Sequence, residues 1–159
     1  LGIDPGYAIV GWGVLEYKMN KFRVLGYGAI TTEAHTDFPL RLQTIYNDMC
    51  YLFEKYKPEV MSMEKLFYNN VIDVAQARGV ITLSAQNYGV DIFEYTPLQV
   101  KQAVVGYGRA EKKQVQEMTR LMLGLAKIPK PDDTADALAM AICHGHCSGS
   151  IMGKLNSLK

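Results

Sequence analysis

The sequence predicts an α/β fold built on a mixed five-stranded sheet, in which an antiparallel meander precedes parallel strands and helices flank the sheet. The chain has 159 residues, of which 48% are hydrophobic and 21% charged, as expected for one globular domain with a buried core. Short apolar segments separated by turn residues near the start indicate antiparallel strands. Further on, segments with helical spacing alternate with short apolar runs, which indicates parallel strands joined by helices.

The meander occupies residues 1–30. Strands are predicted at 1–4, 9–17 and 22–30, with Pro5-Gly6 marking the first turn and the polar residues 18–21 the second. The second and third strands should therefore pair in antiparallel fashion.

Helices and strands alternate in the rest of the chain. Thr96 stands three residues before Gln99, with Pro97 at the first helical position, and this capping box marks the start of a helix. In chain order the predicted elements are a helix over 38–56 ended before Pro58, a strand over 59–64, a helix over 70–88, a strand over 90–95, a short helix ended by Gly106, a helix over 110–123 and a last helix from about Asp132.

Charge and cysteine content narrow the function classes. Residues 101–130 hold seven Lys or Arg against two Asp or Glu, whereas residues 1–100 hold eight against eleven. This distribution is typical of a protein in which one part contacts phosphates and another gathers carboxylates for a metal, although a solvated helix face gives the same pattern.

Three observations lead us to expect a cytoplasmic location. No stretch is apolar enough to cross a membrane, no signal peptide is recognised, and the three cysteines lack the spacing of a disulfide framework.

Two acidic residues stand at the ends of predicted parallel strands. Asp4 ends the first strand and Glu64 ends the fourth. The carboxyl ends of parallel strands border the crevice in which α/β sheets bind ligands. A carboxylate that closes a buried strand is costly unless it is paired or bound to a metal. Each acid alone is compatible with a solvated strand end, but their joint placement indicates a site.

A third acidic group opens the last helix. Asp132 is most simply the N-cap, whereas Asp133 and Asp136 stand at i and i+3 and project from one helix face. Together with Asp4 and Glu64 they supply four carboxylates as possible metal ligands. Oxygen ligands without a group of histidines favour the binding of Mg²⁺ or Mn²⁺ over Zn²⁺. Two such ions about 4 Å apart can activate a water and stabilise the leaving oxygen of a phosphodiester.

Six motifs support a more specific interpretation. They are Leu1-Gly2-Ile3-Asp4-Pro5-Gly6, Glu64-Lys65-Leu66-Phe67, Gln76-Ala77-Arg78-Gly79, Val100-Lys101-Gln102 with Val104-Val105-Gly106, Glu111-Lys112-Lys113-Gln114-Val115, and Asp133-Thr134-Ala135-Asp136-Ala137-Leu138-Ala139. In content and order they resemble the RuvC family of bacterial Holliday junction resolvases, which have a ribonuclease H-like fold. The resemblance implies one ribonuclease H-like nuclease domain over 1–149, and we expect a flexible tail over 150–159.

The resemblance also implies an activity. It implies a homodimeric, Mg²⁺-dependent endodeoxyribonuclease that nicks two opposed strands of a four-way DNA junction symmetrically and leaves a 5′ phosphate and a 3′ hydroxyl. Two Mg²⁺ ions per site are implied, with Mn²⁺ able to substitute, and a branch-migration helicase is an implied partner. The acidic positions of the family fall on Asp4, Glu64, Asp133 and Asp136, with Asp132 leaving the register open by one residue.

Aromatic and basic residues near these acids are candidate DNA contacts. The resemblance implies a base-contacting aromatic at Phe67, with Tyr68 as a second candidate, and phosphate-contacting lysines at Lys101 and Lys112. A core aromatic and solvated lysines are the simpler interpretations of each residue alone. The segment Gly106-Tyr107-Gly108 should act as a flexible arm, and the cations that flank it are Lys101, Arg109, Lys112 and Lys113.

Other functions remain open at this point. A related nuclease acting on RNA or RNA/DNA hybrids would use the same acids, and a non-catalytic junction-binding module would use the same cations. An actin-like or sugar-kinase fold also opens with a strand, an acid and a Gly turn, but it needs two such domains. The run Cys143-His144-Gly145-His146-Cys147 lacks a second ligand pair for structural zinc, although His144 could approach the metal site.

Overall fold

The computed structural model describes residues 1–65 and 72–148. The elements in these ranges are β1 (Gly2–Asp4), β2 (Ile9–Lys18), β3 (Lys21–Thr31), α1 (Phe38–Tyr56), β4 (Val60–Glu64), α2 (Ile72–Asn87), β5 (Asp91–Tyr95), α3 (Pro97–Val105), α4 (Lys112–Met122) and α5 (Asp132–Cys147). The strands form one sheet in the order β3-β2-β1-β4-β5.

The strand directions confirm the predicted mixed sheet. β1 pairs antiparallel with β2, and β2 pairs antiparallel with β3, which forms the meander. β4 pairs in parallel with both β1 and β5. The carboxyl ends of β1 and β4 therefore lie side by side at one edge of the sheet.

The two faces of the sheet carry separate hydrophobic clusters. Ile3, Met63 and Ile92 belong to a buried cluster that includes side chains of α1 and α2. On the opposite face, Tyr95 belongs to a cluster with side chains of α3, α4 and α5. In the described ranges, no helix combines the length and the apolar character that crossing a bilayer requires.

Glycines in β1 and β2 allow α5 to lie against the sheet backbone. A β-carbon on Gly11 would lie 2.0 Å from the carbonyl oxygen of Asp133, and one on Gly2 would lie 2.0 Å from that of Ala137. No side chain larger than hydrogen fits between helix and strands at these two positions. This close approach carries Asp133 and Asp136 over the end of β1.

The helix starts test two capping predictions. The capping box of Thr96 and Gln99 is confirmed, because each side chain accepts a hydrogen bond from the backbone of the other residue. The prediction that Asp132 is an N-cap was wrong. Pro131 occupies that position with an extended backbone, Asp132 is already helical, and its carboxylate pairs with Lys130 instead.

Candidate active site

Two carboxylates end neighbouring parallel strands. Asp4 is the last residue of β1 and Glu64 the last of β4, and the register sets Gly2 opposite Ser62. The Ser62 hydroxyl donates a hydrogen bond to the Met140 carbonyl oxygen of α5 at 3.3 Å, so this face of β4 lies against α5. Because side chains two residues apart share a face, Glu64 points to the same side.

These strand ends border a concave pocket of about 380 Å³. Carboxylates from β1, β4 and α5 share it with ammonium groups from α3 and α4. The lining residues are the acids Asp4, Glu64 and Asp136, the lysines Lys101 and Lys112, and the apolar residues Pro97, Val100, Val115, Ala139 and Met140.

The acids of the pocket perturb one another. Burial raises the pKa of Asp4 to about 7, and the negative charges of Asp136, Asp133 and Glu64 add to this rise, while Lys112 opposes it. Burial and the charge of Asp136 also raise the pKa of Glu64. A bound cation relieves this kind of repulsion, because its charge favours the ionised form of every carboxylate around it.

The donor chemistry fits a hard divalent cation, since the potential ligands in the pocket are carboxylate oxygens. As the side chains stand, no group of three acidic, histidine or cysteine residues in 1–65 and 72–148 is arranged closely enough to hold a metal ion. Instead, Lys112 Nζ lies 2.7 Å from Asp136 Oδ2. A lysine ammonium therefore supplies positive charge to the acidic cluster.

The two adjacent acids at the start of α5 have different surroundings. The carboxylate of Asp132 pairs with Lys130, and 45% of the Asp132 side chain is exposed. This ion pair and further contacts lower the pKa of Asp132. Asp133, in contrast, is close enough to Asp4 for its charge to raise the pKa of that residue.

The structure brings two of the four candidate cations to the pocket. Lys101 and Lys112 line it, whereas Arg109 and Lys113 are exposed and do not belong to its lining. Phe67 and Tyr68 lie outside the described residues.

His144 does not approach the acids. Its Nδ1 and the Tyr95 hydroxyl are hydrogen-bonded at 2.8 Å, and its ring centre lies 4.5 Å from that of Phe93. Burial lowers the pKa of His144 to about 4. Along α5, His144 lies roughly 12 Å from Asp136, on the basis of the helical rise per residue. No zinc-type cluster forms around the neighbouring Cys143 in the described ranges.

Arg78 is a residue whose contact with the site the sequence analysis missed. Its Nη1 donates a hydrogen bond to the backbone carbonyl oxygen of Glu64 at 2.6 Å, and its Nη2 pairs with Glu94. In the sequence, Arg78 is marked only as a single cation in a stretch of α2 that is rich in small residues. That signal does not say which partner the cation meets.

Comparisons with known proteins cover almost the whole chain. The family model described as "Crossover junction endodeoxyribonuclease RuvC" matches residues 1–144. A relative of the same description from Caldanaerobacter subterraneus subsp. tengcongensis is 56% identical over an alignment of 155 residues, with 95% of this chain and 94% of the relative covered. The Thermus thermophilus RuvC structure is 32% identical with a TM-score of 0.89, over 99% of this chain and 98% of that one. T. thermophilus RuvC in complex with a Holliday junction substrate gives a TM-score of 0.88 at 32% identity, over 98% and 95% of the two chains.

Proposed function

Since this chain belongs to the RuvC family of crossover junction endodeoxyribonucleases, we propose that it resolves four-way DNA junctions by paired symmetric nicks through metal-dependent phosphodiester hydrolysis. The observation that carries the proposal is the pocket in which three carboxylates face two lysines. Support also comes from the fold, which is the ribonuclease H-like fold of T. thermophilus RuvC, a protein solved with a Holliday junction substrate.

The metal we propose is Mg²⁺, with two ions per site and Mn²⁺ able to substitute. Such ions, when bound, supply an activated water and stabilise the leaving 3′ oxygen. The raised pKa of Asp4 and the all-oxygen donor set support a divalent cation here. Asp133 is favoured over Asp132 as a ligand because its charge acts on Asp4, whereas the carboxylate of Asp132 pairs with Lys130 outside the pocket lining. The proposed ligands are Asp4, Glu64, Asp133 and Asp136.

The protein's own groups have two further tasks in this proposal. β1, β4 and α5 are regular elements that pack on one another, and they hold the carboxylates in a fixed arrangement. Lys101 and Lys112 attract the phosphate next to the scissile bond, and Lys112 exchanges Asp136 for that phosphate. Arg109 and Lys113 extend the contact to the DNA backbone, where cations position the duplex without reading its sequence.

The stretch of sequence between β4 and α2 carries the proposed base contacts. Phe67 and Tyr68 are proposed to stack on a base at the opened junction, as the family resemblance implies. Replacement of Phe67 by Ala should reduce cleavage more than junction binding. Unchanged cleavage would count against this role.

We also propose that the protein acts as a homodimer, because a four-way junction presents two equivalent scissile phosphates. α2 offers a surface for a twin helix. The side chains of Ile72 and Leu83 are 73% and 56% exposed, and they form an exposed stripe with Gln76 and Gly79. Exposed apolar residues in such a stripe are typical of an interface.

The family resemblance also implies a partner. We propose a branch-migration helicase as this partner, and the cytoplasm, where free thiols persist, as the location.

Cleavage of three substrates tests the proposal. A synthetic four-way junction, a linear DNA duplex and an RNA/DNA hybrid are incubated with the protein, with and without Mg²⁺. We expect paired nicks in the junction that require Mg²⁺, with little cleavage of the other two substrates. Preferential cleavage of the hybrid would support the ribonuclease alternative, and junction binding without nicking would support a non-catalytic module.

A further inference from the structure

Arg78 joins α2 to the end of two strands behind the active site. Only 8% of its side chain is exposed, so the guanidinium is held in a largely water-free position. It spans two acceptors, the backbone carbonyl oxygen of Glu64 at 2.6 Å from Nη1 and the carboxylate of Glu94, which pairs with Nη2. One planar group thus connects α2, β4 and β5.

The contact approaches Glu64 from the side opposite the pocket. Met63 and Ile92 lie in the cluster that packs on α1 and α2. Glu94 stands two residues after Ile92 and therefore faces the same side, where it meets Arg78. The carboxylate of Glu64 lies on the other face and lines the pocket. Arg78 therefore reaches the main chain of Glu64 from behind the sheet.

The end of β4 needs such a contact because the ladder stops there. The paired residues of β4 and β5 end at Glu64 and Tyr95, and the amide of Lys65, which follows β4, donates a hydrogen bond to the Tyr95 carbonyl oxygen at 2.9 Å. The carbonyl group of Glu64 is held instead by Arg78. A planar guanidinium group that donates to a carbonyl and to a carboxylate fixes the direction of both acceptors, whereas the flexible ammonium group of a lysine does not.

We propose that Arg78 is a positioning residue, whose guanidinium fixes the peptide group of Glu64 and thereby holds the Glu64 carboxylate in the pocket. The inference rests on the proposed role of Glu64 as a metal ligand. Loss of a hydrogen-bonding partner that orients a ligand typically lowers metal affinity or activity by about 10- to 100-fold. A misplacement of about 1 Å in a catalytic group has an effect of similar size.

The test compares Arg78→Lys with the wild type. Binding of Mn²⁺ to the DNA-free protein is measured by calorimetry, and the single-turnover cleavage rate is measured as a function of Mg²⁺ concentration. We expect the Mn²⁺ affinity of Arg78→Lys to fall by about 10-fold and the half-saturating Mg²⁺ concentration to rise by a similar factor. Junction affinity without divalent metal should stay within about two-fold, because Arg78 is buried away from the DNA-facing lysines.

A matched control is Arg23→Lys. Arg23 pairs with Glu16 on the exposed β2–β3 hairpin, at 3.0 Å, and its side chain is 70% exposed. This control changes the same chemistry far from the pocket, and its Mn²⁺ affinity should equal that of the wild type. A purely structural role for Arg78 predicts a lower melting temperature with unchanged Mn²⁺ affinity and Mg²⁺ dependence, and that result would overturn the inference.

Two variants of Glu94 keep the test decisive if Arg78→Lys does not fold. Glu94→Gln retains an acceptor for Nη2 and should keep its Mn²⁺ affinity within about two-fold of the wild type, whereas Glu94→Ala should lower it by several-fold. Equal affinities in both variants and the wild type would contradict the positioning role. If the wild type itself fails to nick junctions, the proposed function fails, and the Mn²⁺ titrations still report on whether Arg78 orients Glu64.

Discussion

Lys112 donates a hydrogen bond to Asp136 across the pocket, with Nζ 2.7 Å from Oδ2. The hydrogen bond to Asp136 raises the pKa of Lys112, so the ammonium stays charged at neutral pH. The lysine side chain is 58% exposed and the aspartate 28%, so Lys112 can move away without opening the core. Under the proposed function, a metal ion and this ammonium compete for one carboxylate.

Replacing Lys112 by Ala should strengthen the binding of Mn²⁺ to the DNA-free protein by about two- to five-fold, because partly exposed ion pairs contribute up to about 1 kcal/mol. The same change should weaken cleavage, since Lys112 is proposed to contact the phosphate beside the scissile bond. Calorimetric titration with Mn²⁺ measures the first effect. Lys113→Ala is the control, because Lys113 is exposed and lies outside the pocket lining. Unchanged or weaker Mn²⁺ binding in Lys112→Ala would rule out the competition.

Asp4→Asn should abolish cleavage, spare junction binding and stabilise the metal-free protein above pH 7. Burial raises the pKa of Asp4 from 3.8 in the unfolded chain to about 7 in the folded one. A carboxyl group with a raised folded pKa costs stability as the pH rises between these two values, and the full cost remains above the upper one. We expect a gain of about 1–3 kcal/mol at pH 8 and little gain at pH 4.

Urea unfolding at pH 4 and pH 8, with chelator present, measures this difference. Asp91→Asn serves as the control, because Asp91 is an exposed residue at the start of β5 and does not line the pocket. Equal unfolding free energies for Asp4→Asn and the wild type at pH 8 would show that ionising the buried Asp4 carboxyl beside the other acids does not destabilise the fold. Loss of cleavage and junction binding together would instead indicate that Asp4 is structural.

Local sequence signals predicted much of the fold because they act over a few residues. Helical spacing with Pro58 beyond its end predicted α1 over 38–56, which are the observed bounds. The capping box at Thr96 predicted the start of α3. Asp4 and Glu64 were predicted to end parallel strands, and they do.

Contacts between distant elements could not be derived in the same way. Helical spacing indicates which residues of α5 share a face, but it does not give the distance of each from the strand ends, so the sequence alone leaves His144 as a candidate neighbour of the acids. The pairing of Arg78 with the Glu64 carbonyl depends on the packing of α2 behind the sheet. The capping error at Asp132 has a local cause, since Lys130 competes for its carboxylate.

Gly11→Ala should displace α5 and lower both stability and activity. The added β-carbon would lie 2.0 Å from the Asp133 carbonyl oxygen, which belongs to rigid backbone. We expect a loss of about 3 kcal/mol in the free energy of unfolding. Cleavage by the folded fraction should fall by about 100-fold, because the carboxylates of α5 move relative to Asp4.

Gly79→Ala is the matched control for Gly11→Ala. Apart from the backbone of its own helix, no described part of the chain lies within 4 Å of the position of its β-carbon, and the residue is exposed on α2. Alanine should stabilise this helix by up to about 1 kcal/mol. Urea unfolding measures both variants, and single-turnover cleavage measures Gly11→Ala alone, because Gly79 lies on the proposed dimer surface. A stable, active Gly11→Ala protein would contradict the close packing of α5 on β2.

Lys101→Ala should reduce the salt dependence of junction binding. Lys101 is a half-buried residue of α3 that lines the pocket beside the acids, where a phosphate would have to enter. Each lysine that neutralises a phosphate releases counterions, so its loss should lower the slope of log affinity against log salt by about one unit. Fluorescence anisotropy with a labelled junction, measured between about 50 and 300 mM salt, gives this slope.

The control is Lys18→Ala. Lys18 pairs with Glu16 on the β2–β3 hairpin and is absent from the pocket lining, so its loss should leave the slope unchanged. An equal slope for Lys101→Ala and the wild type would mean that the phosphate approaches the acids without this cation.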